Sequence, residues 1–264
     1  MRFFIDGIGL LGPGLDGWQS SRTTLAREQV YVPATTNVRP SDMLPAAERR
    51  RAGVPIKLAL AVGQEALIQS GHDFKSTATV FTSSGGDNDN EHAINSILAT
   101  APHELSPTRF HNSVHNAAAG YWCIAAATHE PSTSLCAFDA SFAAGLLESA
   151  TQVTVDNAVV ALIAYDHPCP APMDKVRPIT AAFGVSLVFS PQQSERSLAI
   201  IEVSFMHGNQ AETSMQEPAL EALRLGVPAA RSLPLLAALA SGKSAQICIA
   251  YLNNNYLNIH LTPC

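Results

Sequence analysis

One thiol and two histidines are the side chains in this sequence that are best suited to covalent chemistry. Cys136 lies within a run of residues typical of a strand, and His111 and His115 precede it in the chain. A thiolate is a strong nucleophile, and an imidazole within reach can take the thiol proton and later return it to a leaving group. These residues indicate one candidate activity, that of a small acyltransferase or thioesterase with Cys136 as nucleophile and His111 or His115 as base.

The same two histidines invite a metal-site interpretation, because residues at positions i and i+4 share one face of a helix. No glutamate stands at the expected place between His111 and His115, and no third ligand is apparent in the sequence. We therefore predict no metal site and no cofactor.

Composition narrows the classes of protein to which the chain can belong. Hydrophobic residues make up 47% of the 264 residues and charged residues only 14%, which indicates a large core or a surface that another subunit covers. The net charge of −6 argues against nucleic acid. The five cysteines form no CxxC pair, no apolar run reaches the about 20 residues of a membrane span, and no signal-peptide core is evident. We expect a cytoplasmic protein with reduced thiols.

Strand-like and helix-like runs alternate through the first part of the chain. Phe3–Leu11, Thr77–Thr82 and Ala158–Tyr165 are typical of buried strands, and Thr133–Phe138 is strand-like as well. The helices are predicted at 48–70, 90–100, 116–127 and 141–153. The later part is predicted to hold a proline-rich connector at 167–172, apolar runs at 182–189 and 198–205, and a final hairpin from 246–252 and 256–261. This alternation favours a layered α/β domain with a buried central sheet.

Three segments together resemble the N-terminal half of the β-ketoacyl synthases, which have the thiolase-like fold. They are FFIDGIGLLGPGLDGW at the start, TATVFTSSGGDNDN in the middle, and SPTRFHNSVHNAAAGYWCIAAATHEPSTSL before the predicted elbow. The last of these, followed by DASFAAGLLESA, is closer still to the short chain-length-factor-like ketosynthase subunits, such as those of aryl polyene pathways. The resemblance implies a subunit that pairs with a full-length β-ketoacyl synthase and helps to extend an acyl chain held on acyl carrier protein.

The resemblance also implies where a nucleophile would stand, on a strand-to-helix elbow between Ser134 and Ser141. Counted from Pro131, the family's interval to its cysteine ends on Asp139, for which no basic partner is apparent. Cys136 then falls three residues early and is expected inside a buried strand, as a small apolar residue. A carboxylate is a poor substitute for the thiol, so the elbow is predicted to be degenerate.

The histidine motifs of the family's C-terminal half are absent from the sequence. No His-Gly-Thr-Gly-Thr stretch and no Asn-Phe-Gly-Phe-Gly-Gly stretch follows residue 166, and His167, His207 and His260 stand in other contexts. The resemblance requires both motifs for decarboxylation of the extender unit. We therefore predict that this chain alone does not catalyse condensation.

The segment before the elbow is, by resemblance, the one that lies at the dimer interface and beside the acyl tunnel. Its side chains are predicted to form the interface or to line or plug that tunnel, with plain core packing as the alternative. They are Phe110, His111, Val114, His115, Asn116 and Trp122.

The predicted architecture is an α/β thiolase-like layered fold with a complete N-terminal half at 1–166. A shortened, divergent part at 167–264 is expected to pack on the same core as a single unit. The predicted function is that of a non-catalytic, chain-length-factor-like subunit in polyketide or fatty-acid-type elongation, in contact with acyl carrier protein only indirectly. The Cys136 enzyme is the alternative, and a scaffold that binds acyl carrier protein without touching the acyl chain is a third interpretation.

Overall fold

One mixed sheet of nine strands runs through the chain, which a computed structural model describes from Met1 to Cys264. The strands, in chain order, are β1 (Arg2–Gly12), β2 (Leu15–Asp16), β3 (Ala78–Thr82), β4 (Ser132–Leu135), β5 (Val160–Asp166), β6 (Phe183–Ser190), β7 (Ala199–His207), β8 (Ala245–Ala250) and β9 (Asn255–Pro263). Across the sheet the order is β4-β3-β5-β6-β1-β7-β9-β8, and the short β2 pairs with the end of β1. The layered α/β fold predicted from the strand and helix alternation is confirmed.

Nine α-helices accompany the strands. They are α1 (Trp18–Leu25), α2 (Ala46–Arg51), α3 (Val54–Ser70), α4 (Asn88–Thr100), α5 (Pro107–His111), α6 (Ala117–Ala126), α7 (Ser141–Val155), α8 (Pro218–Gly226) and α9 (Leu233–Ser241). The sheet separates two apolar clusters, one around α3 and α6 and the other around α1, α7 and α9. No helix is long and apolar enough to cross a membrane.

The centre of the sheet consists of strands that are apolar along their whole length. Every residue of β3, β5 and β6 is buried, because helices cover both faces there. In β7 and β9, by contrast, buried and more exposed residues alternate, which is typical of a sheet with one solvated face. β6 comes from the part of the chain after residue 166 and lies between β5 and β1, so both parts of the chain share one sheet.

The long helix predicted over 48–70 is wrong in one respect, since the chain forms two helices there. α2 ends at Arg51, Ala52 and Gly53 are extended, and α3 begins at Val54. Pro55 explains the break, because its ring would clash with the carbonyl of Arg51 in a continuous helix and it has no N–H to donate. The C-terminal hairpin is confirmed, with Asn253 and Asn254 both in the left-handed conformation at its turn.

α3 lies against β1 without intervening side chains. A Cβ atom on Gly7 would be 2.1 Å from the carbonyl oxygen of Ala66, and one on Gly9 would be 2.0 Å from that of Val62. Only glycine, which has a hydrogen atom in place of a side chain, allows the backbones of the strand and the helix to come this close.

We expect Gly9→Ala to lower the free energy of unfolding by about 1–3 kcal/mol, because the methyl group would collide with backbone that cannot rotate away. Gly120→Ala is the matched control. Gly120 lies exposed in α6, and a Cβ atom added to it would meet no other atom within 4 Å, so this change should stabilise the chain by about 0.5–1 kcal/mol. Urea denaturation measures both, and a Gly9→Ala protein as stable as the wild type would contradict the close approach.

Candidate functional site

A strained strand-to-helix turn follows the edge strand β4. β4 ends at Leu135, Phe138 has the left-handed φ of 54°, and α7 begins at Ser141. The Ser141 hydroxyl accepts a hydrogen bond from the Ala137 N–H at 3.0 Å and donates one to the Phe138 carbonyl at 2.7 Å. These two bonds close the turn and offset a backbone conformation that costs a non-glycine residue about 1–3 kcal/mol. This turn is the elbow that the resemblance predicts between Ser134 and Ser141.

Phe138, and not Asp139, occupies the strained apex of this elbow. The sequence interval from Pro131 predicted Asp139, but the left-handed residue stands one position earlier. The predicted strand at 133–138 is also too long, since β4 ends at Leu135 to let the chain turn. An aromatic ring has no group that could accept an acyl chain, so the residue at the apex is chemically inert.

Asp139 has a basic partner that the sequence did not reveal. Arg177, from the connector between β5 and β6, places its Nη1 2.7 Å from Asp139 Oδ1. Its guanidinium carbon lies 3.7 Å from the centroid of the Phe138 ring, and its Nη2 donates to the Ser84 hydroxyl. One arginine thereby joins the elbow to the turn that follows β3.

A buried carboxyl group, that of Asp166, holds the turn after β3 to which Arg177 is hydrogen-bonded. Asp166, at the end of β5, accepts hydrogen bonds from the N–H groups of Ser84 at 2.8 Å and Ala229 at 2.7 Å, and from the Ser83 hydroxyl at 3.4 Å. Burial raises the pKa of Asp166 from 3.8 to about 7, against the lowering effect of the backbone donors and the Arg177 charge. Asp166 thus links the Ser83–Ser84 turn to the residues before α9.

Cys136 is exposed, and its predicted burial inside a strand is wrong. It follows the last residue of β4, where the chain leaves the sheet, and its Sγ lies 3.2 Å from the Ser84 carbonyl oxygen. No histidine forms a hydrogen bond with Cys136.

His111 and His115 do not share a helix face. α5 ends at His111, and His115 lies in the turn before α6, where its Nε2 is 3.0 Å from the Ser83 carbonyl oxygen. His111 is exposed. Nowhere in the chain do three or more histidine, cysteine, aspartate or glutamate side chains cluster in a way that could hold a metal ion.

The other residues predicted at the interface or tunnel divide into two groups. Phe110, Val114 and Asn116 are exposed, and the two apolar side chains are 66% and 53% accessible to solvent. Trp122 is fully buried and belongs to the core, as the core-packing alternative predicts. Its indole stacks on Phe74 with ring centroids 5.9 Å apart and covers Gly63 of α3.

The two edge strands of the sheet, β4 and β8, differ in what is bonded to their outer sides. At the far end, Thr213 donates its N–H to the Cys248 carbonyl of β8 at 2.9 Å, and its hydroxyl accepts the Cys248 N–H. No segment pairs with the outer side of β4. The carbonyls of Pro131 and Leu135 bond to β3, so the backbone groups of the alternating residues Ser132 and Ser134 face outward.

Comparison with known proteins assigns the family. The family model described as "Beta-ketoacyl synthase, N-terminal domain" matches residues 18–251, which is most of the chain. The chain belongs to the β-ketoacyl synthase family. No curated protein sequence matches it.

Solved structures of β-ketoacyl synthase relatives share its fold over the whole length. In the complex of the ketosynthase ApeO with its chain length factor ApeC from Xenorhabdus doucetiae, one chain has a TM-score of 0.74 at 20% identity; the match covers 98% of this chain and 99% of that chain. The ishigamide ketosynthase/chain length factor has a TM-score of 0.76 at 15% identity, with 100% and 99% covered. A β-ketoacyl synthase from Burkholderia phymatum STM815 has a TM-score of 0.64 at 10% identity, with 100% and 99% covered. The predicted thiolase-like fold is confirmed by these likenesses.

Sequence reasoning missed Asp166 and Arg177. A lone carboxylate at the end of the apolar run of β5 is a signal that could have identified Asp166, because a buried charge needs partners. Arg177 has no such signal, since a single arginine in a proline-rich connector is typical of a solvated loop.

Asp166 predicts a pH dependence of stability. Its folded pKa of about 7 exceeds the ordinary 3.8, so the folded state binds the proton more tightly. The associated stabilisation is complete below about pH 3.8 and is lost as the pH rises through about 7, at up to about 1.4 kcal/mol per pH unit.

In Asp166→Asn the free energy of unfolding should depend less steeply on pH. Some dependence should remain, because burial also raises the pKa values of Glu65, Asp87 and Glu91. The variant should also lose about 1–3 kcal/mol, because an amide can accept from only one of the two backbone N–H groups. Chemical denaturation at several pH values measures both effects. An unchanged slope would contradict the titration of Asp166 in this range.

Proposed function

We propose that this protein is a non-catalytic partner subunit of a full-length β-ketoacyl synthase and shapes the pocket for the growing acyl chain, as a chain length factor does. The observation that carries the proposal is the elbow, whose strained apex is a phenylalanine held by an arginine. The turn that in a catalytic relative presents a thiol presents here a side chain that cannot form a thioester.

The open edge of β4 supports the pairing with another subunit. Outward-facing N–H and C=O groups at Ser132 and Ser134 can pair with a strand of a neighbour and extend the sheet across the interface. Exposed apolar side chains accompany this edge, on the flanking helices and at the elbow. They are Ile124 of α6, Phe138 at the elbow and Val155 of α7.

The full-length structural match to chains from complexes that contain a ketosynthase and a chain length factor supports the choice of partner. One similar structure also contains an acyl carrier protein bound to its ketosynthase. For this chain we infer indirect contact with an acyl carrier protein, through the ketosynthase, and elongation of the polyketide or aryl polyene kind.

The alternative function, an independent acyltransferase or thioesterase, has one favourable observation. Cys136 is exposed beside the elbow, so an acyl thioester could reach it. Against it stand the hydrogen bond from the thiol to the Ser84 carbonyl and the lack of a hydrogen-bonded histidine. A buried or partnered base is what such a mechanism requires.

Co-expression with the ketosynthase encoded beside it, followed by size-exclusion chromatography with light scattering, tests the proposal. We expect a one-to-one complex that elongates acyl chains and that retains this activity with Cys136→Ala. Loss of activity in Cys136→Ala with the complex intact would instead establish the independent enzyme.

Ser134→Pro tests the edge itself. Proline removes an N–H that faces away from β3, so the fold should survive while the heterodimer weakens at least about tenfold. Gln246→Pro is the matched control, because it removes an outward N–H at the opposite edge, in β8, and should leave the dissociation constant unchanged. Equal effects of the two variants would refute pairing through β4.

Phe110 tests the role in chain length. Enlarging it by Phe110→Trp should shorten the product and Phe110→Ala should lengthen it, as mass spectrometry of the acyl products would show. Products of unchanged length from an intact, active complex would favour the scaffold interpretation instead.

A further inference from the structure

Phe138 combines two unfavourable features on one residue. Six non-glycine residues of the chain have a positive φ, and Phe138 is the only aromatic one among them. Its side chain is also 60% exposed to solvent. A left-handed backbone is costly for a bulky residue, and an exposed ring gains little from burial, so within the isolated fold only the contact with Arg177 favours phenylalanine here.

Arg177 fixes the orientation of this ring. The guanidinium packs on one ring face at 3.7 Å and is itself held by Asp139 and by the Ser84 hydroxyl. Only 20% of the arginine side chain is accessible, although immobilising it sacrifices much rotamer entropy. Phe138 is nevertheless 60% exposed, so much of the ring that the guanidinium does not cover is open to solvent.

Ser84, one of the residues that hold Arg177, is itself fixed by a hydrogen bond. Ser84, which accepts the Arg177 hydrogen bond, has its backbone N–H tied to the buried Asp166. Phe138 follows the end of β4 by three residues, so this ring lies at the carboxyl end of the open edge strand. Aromatic side chains that are already ordered before binding lose little entropy on association, which is why they dominate interface energies.

We propose that Arg177 is a positioning residue that holds Phe138 as a preformed aromatic anchor, and that the ring inserts into an apolar pocket of the ketosynthase that joins at β4. The inference rests on the proposed function, which supplies the partner. It goes further by assigning the retained elbow a use: the turn that would carry a nucleophile carries a contact for the neighbouring subunit.

Calorimetric titration of the ketosynthase with variants of this chain tests the anchor. Phe138→Ala should raise the dissociation constant at least about tenfold, as expected for a buried aromatic anchor, whereas Phe138→Tyr should preserve binding. Phe205→Ala is the matched control. Phe205 is an aromatic residue of similar exposure, 54%, on β7, which four intervening strands of the sheet separate from β4, and its removal should leave the constant unchanged.

A double-mutant cycle tests the positioning by Arg177. Arg177→Gln should weaken binding several-fold in the wild-type background and have almost no effect in the Phe138→Ala background, because the arginine acts through the ring. Fully additive losses would overturn the positioning role. If Arg177→Gln fails to fold, as circular dichroism would reveal, the Phe138→Ala and Phe138→Tyr pair still decides the anchor.

The outcomes separate this inference from the proposed function. A tight wild-type complex whose dissociation constant changes less than about twofold in Phe138→Ala would overturn the anchor and leave the partner role standing. No complex with the wild-type chain would overturn both.

Discussion

The close approach of α3 to β1 is the constraint on which the rest of the structure depends. The carbonyls of Val62 and Ala66 occupy the space of the missing side chains of Gly9 and Gly7. β7 pairs with β1 only as far as Ile5, so the later N–H groups on that edge need other acceptors. α3 supplies them, since Gln69 accepts from Ile8 at 2.8 Å and Glu65 accepts from Leu10 at 2.9 Å. The helix thereby takes the place of a neighbouring strand, which is possible only because it lies so close.

The position of α3 is transmitted to the elbow through packed layers. α6 packs on α3, where Trp122 covers Gly63, and α6 leads directly into the edge strand β4. On the other face, α7 packs against β3 and β5 and fixes where the elbow must end. Asp166 and Arg177 then join the ends of β3, β5 and the elbow by hydrogen bonds. The strained turn between β4 and α7 is thus held in place by packing and hydrogen bonds that do not require a nucleophile.

Apolar periodicity was sufficient to predict a layered α/β domain, and the resemblance was needed for the thiolase-like fold; neither predicted the details of the site. The uninterrupted runs of β3 and β5 and the hairpin at Asn253–Asn255 have local signals, and the structure confirms them. The interval from Pro131 predicted Asp139 at the nucleophile position, but an interval counted along a sequence does not reveal that the backbone becomes left-handed at Phe138. Cys136 was expected to be buried, yet its exposure depends on where β4 ends. Arg177 reaches Asp139 only through the folded connector, so no pattern of neighbouring residues announces that contact.

The difference between the two ends of the sheet limits how large an assembly can become. Thr213 is bonded to Cys248 in the middle of β8 and stands in the way of a continuous added strand there, whereas the outer side of β4 is unpaired along its length, so a full strand can be added only at β4. A unit with two free ends could add neighbours indefinitely and form a fibre. A subunit with one open edge strand can pair with one neighbour only, so strand addition stops at two subunits.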